Sequence, residues 1–258
     1  MATVMAIVNQ KGGVGKTTTA VNLAASLAIA EQDTLLIDID PQGNASSGCG
    51  YDDGRQLEGA NVYHALIGQM APQAVIRNTK AACLSVMPSY INLAGAEVEL
   101  VPVVGRDYKL REMLGQIRDD YSYVILDCPP SLGILTINAL TAADSVLIPV
   151  QCEYYALEGL SKLLNTVQQI QRHLNPALSI SGVLQTMYDG RLNIARTVAA
   201  ELTSYFGDKV YRSVVHRNVR LAEAPSHGLP IALFDILSQG AQDYISLAGE
   251  VIEREERG

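Results

Sequence analysis

The residues best suited to chemistry lie together near the start of the chain. Lys11-Gly12-Gly13-Val14-Gly15-Lys16-Thr17-Thr18 brings glycines, lysines and threonines into one short run. Gly12, Gly13 and Gly15 let backbone N–H groups approach an anion closely. With the N-terminus of a following helix they form a phosphate cradle. In such a cradle Lys16 supplies a cation for β- and γ-phosphates, the Thr17 hydroxyl suits Mg²⁺, and Thr18 suits an α-phosphate. The common pattern G-x-x-x-x-G-K-[ST] is not met, because its first glycine would fall at Gln10. A second lysine, Lys11, opens the loop instead. A turn needs no cation there, and Lys16 already serves the loop's own phosphates. We therefore expect Lys11 to reach a phosphate across a dimer interface, as a cation supplied in trans would.

Three aspartates extend the set. Asp127 closes the apolar run YVIL, the placement of a carboxylate that holds Mg²⁺ through water. Asp38 and Asp40 stand two apart in LLIDIDPQGN and so share one face of a strand end. Asp40 heads the turn Pro41-Gln42-Gly43-Asn44, where a carboxylate could orient or deprotonate a water attacking a γ-phosphate. For Asp38 two roles stand open, bonding to magnesium waters or to the loop.

These groups need elements to hold them. Short apolar runs at 3–8, 34–39, 84–87, 123–126, 145–150 and 180–184 predict strands, and amphipathic stretches at 16–30, 108–118, 157–174, 193–205 and 239–255 predict helices. Strands that are apolar throughout, interleaved with helices, imply an α/β fold with a mainly parallel, twisted sheet and helices on both faces. Ligands of such sheets sit outside the carboxyl ends of the strands. The loop from Asn9, the Asp38–Asp40 pair and Asp127 all fall there, so one nucleotide site is expected and the fold is that of a P-loop NTPase. Residues 49–80 are rich in glycine and are expected to form loop and short helices.

The bulk properties agree. A chain of 258 residues with 48% hydrophobic content suits a single ATPase domain, 1–258, with a substantial core. Net charge of −8 argues, for the whole chain, against nucleic acid. Cys49, Cys83, Cys128 and Cys152 are scattered without a CxxC pair and are expected to be buried free thiols. No signal peptide and no apolar stretch long enough to span a bilayer is found, so a cytoplasmic protein is expected.

The blocks KGGVGKTTT, LLIDIDPQGN, YVILDCPPSLG, PVQCEYYALEGL and RNVRLAEAPSHG, in this order, resemble the ParA/Soj family of chromosome- and plasmid-partitioning ATPases with a deviant Walker A loop. The likeness runs from about Thr3 to Tyr244. The first block alone would indicate only a wider superfamily that includes MinD and the nitrogenase iron protein; the last two narrow it. The resemblance implies ATP and Mg²⁺ as cofactors and an ATP-sandwich homodimer. Lys11 then matches the lysine that contacts the partner's nucleotide, and Gly12 a glycine packed at the dimer interface. Lys16 and Thr17 match the loop lysine and Mg²⁺ ligand, Asp40 the aspartate required for hydrolysis, and Asp127 the Walker B aspartate. Lys11, Lys16 and Asp40 are thus the candidate catalytic residues. The resemblance further implies non-specific binding of double-stranded DNA by the dimer, nucleoid association, and a ParB-type centromere-binding partner that stimulates hydrolysis.

Charge along the chain is compatible with DNA binding. Within Tyr188–Arg220, Arg191, Arg196, Lys209, Arg212, Arg217 and Arg220 outnumber Asp189, Glu201 and Asp208. Arg191 and Arg220 match family arginines that touch phosphate, and Arg217 is a further candidate. One departure is His216, where relatives often carry proline before the RNVR block; we read it as pointing to solvent. The alternative is a MinD-like positioning ATPase acting on a membrane or protein cargo. It calls for a basic amphipathic C-terminal helix, whereas Glu250, Glu253, Glu255 and Glu256 outnumber Arg254 and Arg257 here. A nitrogenase-reductase type would need paired cysteines, and a metabolic P-loop ligase or kinase would leave Lys11 without a role.

Overall fold

The computed structural model describes residues 2–52, 57–153 and 156–257. Its strands are β1 (Thr3–Ile7), β2 (Thr34–Asp38), β3 (Arg77–Asn78), β4 (Leu84–Met87), β5 (Tyr123–Asp127), β6 (Ser145–Gln151), β7 (Ser179–Tyr188) and β8 (Val210–His216). Around them lie α1 (Lys16–Ile29), α2 (Asn44–Gly48), α3 (Val62–Leu66), α4 (Pro72–Val75), α5 (Leu93–Glu99), α6 (Lys109–Leu114), α7 (Ile134–Ala142), α8 (Ala156–His173), α9 (Asn193–Phe206), α10 (Val219–Glu223), α11 (Ile231–Phe234) and α12 (Gln239–Arg257).

The strands form one eight-stranded sheet in the order β3-β4-β2-β5-β1-β6-β7-β8, parallel except where β3 meets β4. Each strand alternates its side chains between two buried faces. Met5 and Ile7 pack with α1 and α12, while Val4 and Ala6 pack with α3, α5, α6, α7 and α8. The largely apolar runs of β1, β2, β5 and β6 follow from cover on both faces. From β1 the chain turns toward β2 on one side, and β5 leads to β6 on the other. The crevice where strand order changes direction lies at the carboxyl end of β1, where the glycine-rich loop begins.

The expected strands and helices are present, most within one or two residues. β7 is longer than predicted, and the region 108–118 contains a short α6 flanked by 3₁₀ turns. β8, β3, α5 and α7 were not expected. Residues 49–80 hold α3, α4 and β3, as a loop with short helices should; positions 53–56 of that stretch lie outside the described residues. Cysteines 49, 128 and 152 are buried, but Cys83 is exposed. It sits in the turn into β4 with φ of +59°, which carries its side chain off the sheet.

β8 is an edge strand, and unpaired edge amides template unwanted pairing. Here α12 covers them. The Glu250 carboxylate accepts the N–H groups of Arg212 and Ser213, each at 2.9 Å, and Asp243 accepts that of His216 at 2.8 Å. Burial pushes the Glu250 pKa up, but these backbone donors and the Arg254 guanidinium outweigh it and leave it below its ordinary 4.5. A carboxyl with a depressed folded pKa adds stability that is present above the unfolded pKa and lost as pH falls through the folded one. Glu250→Gln should therefore cost about 2 kcal/mol at neutral pH, measured by urea unfolding. The deficit should shrink as pH is taken below 4.5.

Candidate functional site

A cleft of about 530 Å³ opens at the carboxyl end of the sheet, between the loop after β1 and the turns after β2 and β5. Gly12, Gly13, Gly15, Lys16, Thr17, Thr18, Asp40, Gln42, Asn44 and Pro130 line it. The loop's path requires its glycines: Gly13 and Gly15 have φ of +74° and +87°, the left-handed region that L side chains rarely enter. Gly15 is also the N-cap of α1, which has no side-chain cap and no acidic residue in its first turn. Its free N–H groups are therefore left for an anion. Anchors hold the loop from below. Thr186 on β7 donates its hydroxyl to the Val14 carbonyl at 2.8 Å. Asn9 donates to the Pro149 carbonyl at 2.7 Å and accepts the Lys11 N–H at 3.0 Å.

The two lysines occupy different environments. Lys16 is buried, and its ammonium donates to the Lys11 carbonyl at 3.1 Å. Burial lowers its pKa, while Asp127 and Asp40 act against that. Lys11 is half-buried at the rim, with its Nζ 3.6 Å from Glu153 in an exposed ion pair. Gly12 differs from Gly13 and Gly15 in having no positive φ, and a Cβ built there meets nothing within 4 Å. Packing within the chain does not account for glycine at that position.

The aspartates separate by role. Asp38 and Asp127 pair in register at the ends of β2 and β5, and both are fully buried. Asp38 is saturated by the loop that follows it. Its carboxylate accepts the Asp40 N–H at 3.1 Å, the Ser46 N–H at 2.8 Å and the Ser46 hydroxyl at 2.7 Å. Of the two roles left open for Asp38, the geometry selects the loop. Its pKa is pushed up to about 6 by burial, against those hydrogen bonds. Among the described residues neither Asp127 oxygen has a partner at hydrogen-bond distance, although the Thr17 hydroxyl lies close enough to act on it. Burial, and then the Asp38 charge, push its pKa well up, opposed by the nearby Thr17 hydroxyl and Lys16. A buried carboxylate with no donor is costly on its own. Facing a phosphate cradle and a threonine hydroxyl, it has the donor set for a hydrated divalent cation, so the residues present fit Mg²⁺. Asp40 stands at the cleft wall, its carboxylate accepting the Gln42 N–H at 3.0 Å.

A second cavity of about 350 Å³ adjoins the loop at Gly15 and Thr18. Met187, Val215, His216, Asn218 and Tyr244 are among its lining residues. Sequence reasoning missed this wall, because β8 was not expected. His216 is not directed freely to solvent, as we had read it. Its Nδ1 lies 3.0 Å from Asp243, and its ring meets Tyr188 edge to face.

The arginines converge at the ends of β7 and β8, where the Arg217 N–H donates to the Tyr188 carbonyl. Their charge is smaller than the sequence count suggested. Arg191 forms a bidentate pair with Asp189, whose pKa it holds down at about 2. Arg220 pairs with Glu223 and Asp235, and Arg212 with Glu250 and Glu253. Acids distant in sequence thus offset part of the patch.

This sheet with this cradle defines a P-loop ATPase. An AAA domain family model matches residues 2–180. The chain is 56% identical over 253 residues to the sporulation initiation inhibitor protein Soj of Bacillus subtilis strain 168, covering 97% of this chain and 98% of that one. It is 52% identical over 252 residues to the chromosome partitioning protein ParA of Myxococcus xanthus strain DK1622, covering 98% and 88%. Cobyrinic acid a,c-diamide synthase from Mycobacterium smegmatis, solved with bound ADP and magnesium, superposes with a TM-score of 0.87 at 35% identity, covering 99% and 96%. The chain belongs to the ParA/Soj family of chromosome-partitioning ATPases.

Thr186→Val keeps the shape of the anchor and removes its hydrogen bond to the loop. Nucleotide affinity should fall roughly fivefold, about 1 kcal/mol, in a fluorescent-nucleotide titration, with the melting temperature little changed.

Proposed function

We propose that the chain is a ParA/Soj-type ATPase that closes into an ATP-sandwich homodimer, binds double-stranded DNA without sequence preference, and drives chromosome or plasmid segregation. A ParB-type partner stimulates its hydrolysis. In this reading residues 1–258 act as one ATPase domain and work on the nucleoid.

The carrying observation is the division of labour between Lys16 and the Lys11–Gly12 pair. Lys16 is buried inside its own cradle, whereas Lys11 stands at the rim, its ammonium in an exposed pair with Glu153. Exposed pairs of this kind contribute about 1 kcal/mol or less and exchange readily for a phosphate. Beside it Gly12 leaves open space that nothing in the chain fills. A rim that presents a mobile cation and no side chain suits a second nucleotide-bearing subunit.

Within each site the backbone N–H groups at the start of α1 and the Lys16 ammonium hold the phosphates of ATP. Thr17 and Asp127 would hold Mg²⁺, which would supply charge neutralisation at the phosphates. Asp40 orients a water toward the γ-phosphorus and takes up its proton as the phosphorus–oxygen bond to ADP breaks. Lys11 from the partner subunit counters charge gathering on the transferred group. Arg191, Arg217 and Arg220 exchange their carboxylate partners for DNA phosphates. A membrane-directed role of the MinD kind finds no support, since α12 buries Tyr244, Leu247, Ala248 and Val251 in the core. Among the described residues no helix is long and apolar enough to cross a bilayer.

Two experiments test this. Lys16→Ala should abolish ATP binding, whereas Asp40→Ala should bind ATP and elute as a dimer while turnover falls below about one-hundredth of the wild-type rate. An Asp40→Ala protein that stays monomeric with ATP would contradict the assignment. Arg220→Glu should keep the ATP-dependent dimer and lose DNA binding in a mobility-shift assay. Wild-type binding should weaken steeply as salt rises, and an affinity indifferent to salt would exclude a phosphate-reading patch.

A further inference from the structure

The nucleotide does not explain Ser46. This residue lies on α2, six residues beyond Asp40, and is fully buried. Its hydroxyl donates to Asp38 at 2.7 Å, and its oxygen accepts the Ser89 N–H at 2.8 Å. One side chain thus joins the loop after β2 to the segment after β4. The joint is tight elsewhere too: a Cβ at Gly43 would stand 3.4 Å from the Ser89 carbonyl oxygen. Beyond Ser89 the chain enters α5, which carries Glu97. A Cβ at Gly133, in the loop after Asp127, would stand 2.8 Å from the Glu97 carboxylate. A continuous run of contacts therefore leads from Asp40 through Asp38, Ser46, Ser89 and α5 to the loop that follows Asp127.

We propose that Ser46 is a positioning residue for ATP hydrolysis, its hydroxyl tying Asp38 to the Ser89 N–H and so holding the Asp40 loop in register with the Asp127 loop. The inference rests on the reading of Asp40 as the hydrolytic carboxylate. Ser46 lines no part of the phosphate cradle; the groups that hold the phosphates sit on α1 and the loop after β1, anchored by Thr186 and Asn9. Removing the hydroxyl withdraws one of the three donors to a buried carboxylate. It also leaves the Ser89 N–H without a partner where water does not reach. The loop must shift to repair both losses, and Asp40 is tied to Asp38 through its own N–H. A water-activating carboxylate tolerates little displacement: misplacement by about 1 Å can cost a hundredfold in rate. Binding changes little, because the phosphate-holding groups sit on α1 and the loop after β1, while Gln42 and Asn44 only line the cleft wall.

The test is steady-state ATPase kinetics on the full chain with saturating DNA, comparing Ser46→Ala, Asp40→Asn and Ser145→Ala. Ser145 carries a buried hydroxyl without a partner at the opposite end of the sheet, and its variant controls for a generic buried serine-to-alanine change. Expected for Ser46→Ala is a fall in kcat of about tenfold or more with KM for ATP within twofold, against wild-type kcat for Ser145→Ala. Should the alanine variant fail to fold, Ser46→Cys, which keeps the volume and weakens both hydrogen bonds, carries the test with the same expectation. Turnover at the wild-type rate in Asp40→Asn would overturn the reading of Asp40. An inactive Asp40→Asn beside a Ser46 variant with wild-type kcat, or with kcat unchanged and KM raised, would overturn the positioning role alone.

Discussion

Two carboxylates fully buried side by side are the constraint around which the rest of the site is arranged. Asp38 and Asp127 close neighbouring strands in register, so the sheet itself fixes their separation. Their mutual repulsion and loss of hydration have to be met within reach of both. The protein meets them in opposite ways. Asp38 is satisfied from its own loop by two backbone N–H groups and one hydroxyl. Asp127 has no partner at hydrogen-bond distance among the described residues and stands next to Lys16 and Thr17. One carboxylate organises the chain and the other is kept available for a cation. The same crowding bears on Lys16, whose ammonium is buried but stands close to Asp127 and Asp40.

How much of this was legible in sequence depended on whether the signal was local. The cradle was legible because glycine spacing, lysine and threonine sit in one uninterrupted run. Asp127 and Asp40 were legible because each follows an apolar strand. α7 escaped notice because ILTINALTA mixes Thr136, Asn138 and Thr141 with apolar residues without a helical period, as befits a helix buried on most sides. β8 escaped because Arg212 and Ser213 interrupt its apolar residues. Those interruptions make sense only once α12 supplies carboxylates opposite them. Ser46 and Ser89 carry no motif at all; their connection exists only after β2 and β4 have paired. The arginine patch shows the reverse error, since charge counted along a segment omits the acids that folding brings from elsewhere.

Lys11 and its Glu153 pair show how a rim cation, proposed above to serve a second subunit, is accommodated in the single chain. The ion pair gives an otherwise unpaired rim cation an acceptable neighbour at little energetic cost. Gly12 beside it keeps the rim low without help from surrounding packing. Both also belong to the cradle itself, since the Lys11 carbonyl accepts a hydrogen bond from the Lys16 ammonium and Gly12 lines the cleft.

The contact between α12 and β8 has a practical side. Because carboxylates of the C-terminal helix occupy the amides of the outermost strand, the helix is a guard as well as a layer of the core. Shortening or displacing it would uncover a ladder of free donors on a parallel strand flanked by apolar residues, which is the starting point for strand-by-strand polymerisation. Soluble expression of truncated or C-terminally fused forms would then be limited by self-association as well as by lost support for the nucleotide cradle, since Tyr244 of the same helix is hydrogen-bonded to Thr19 on α1.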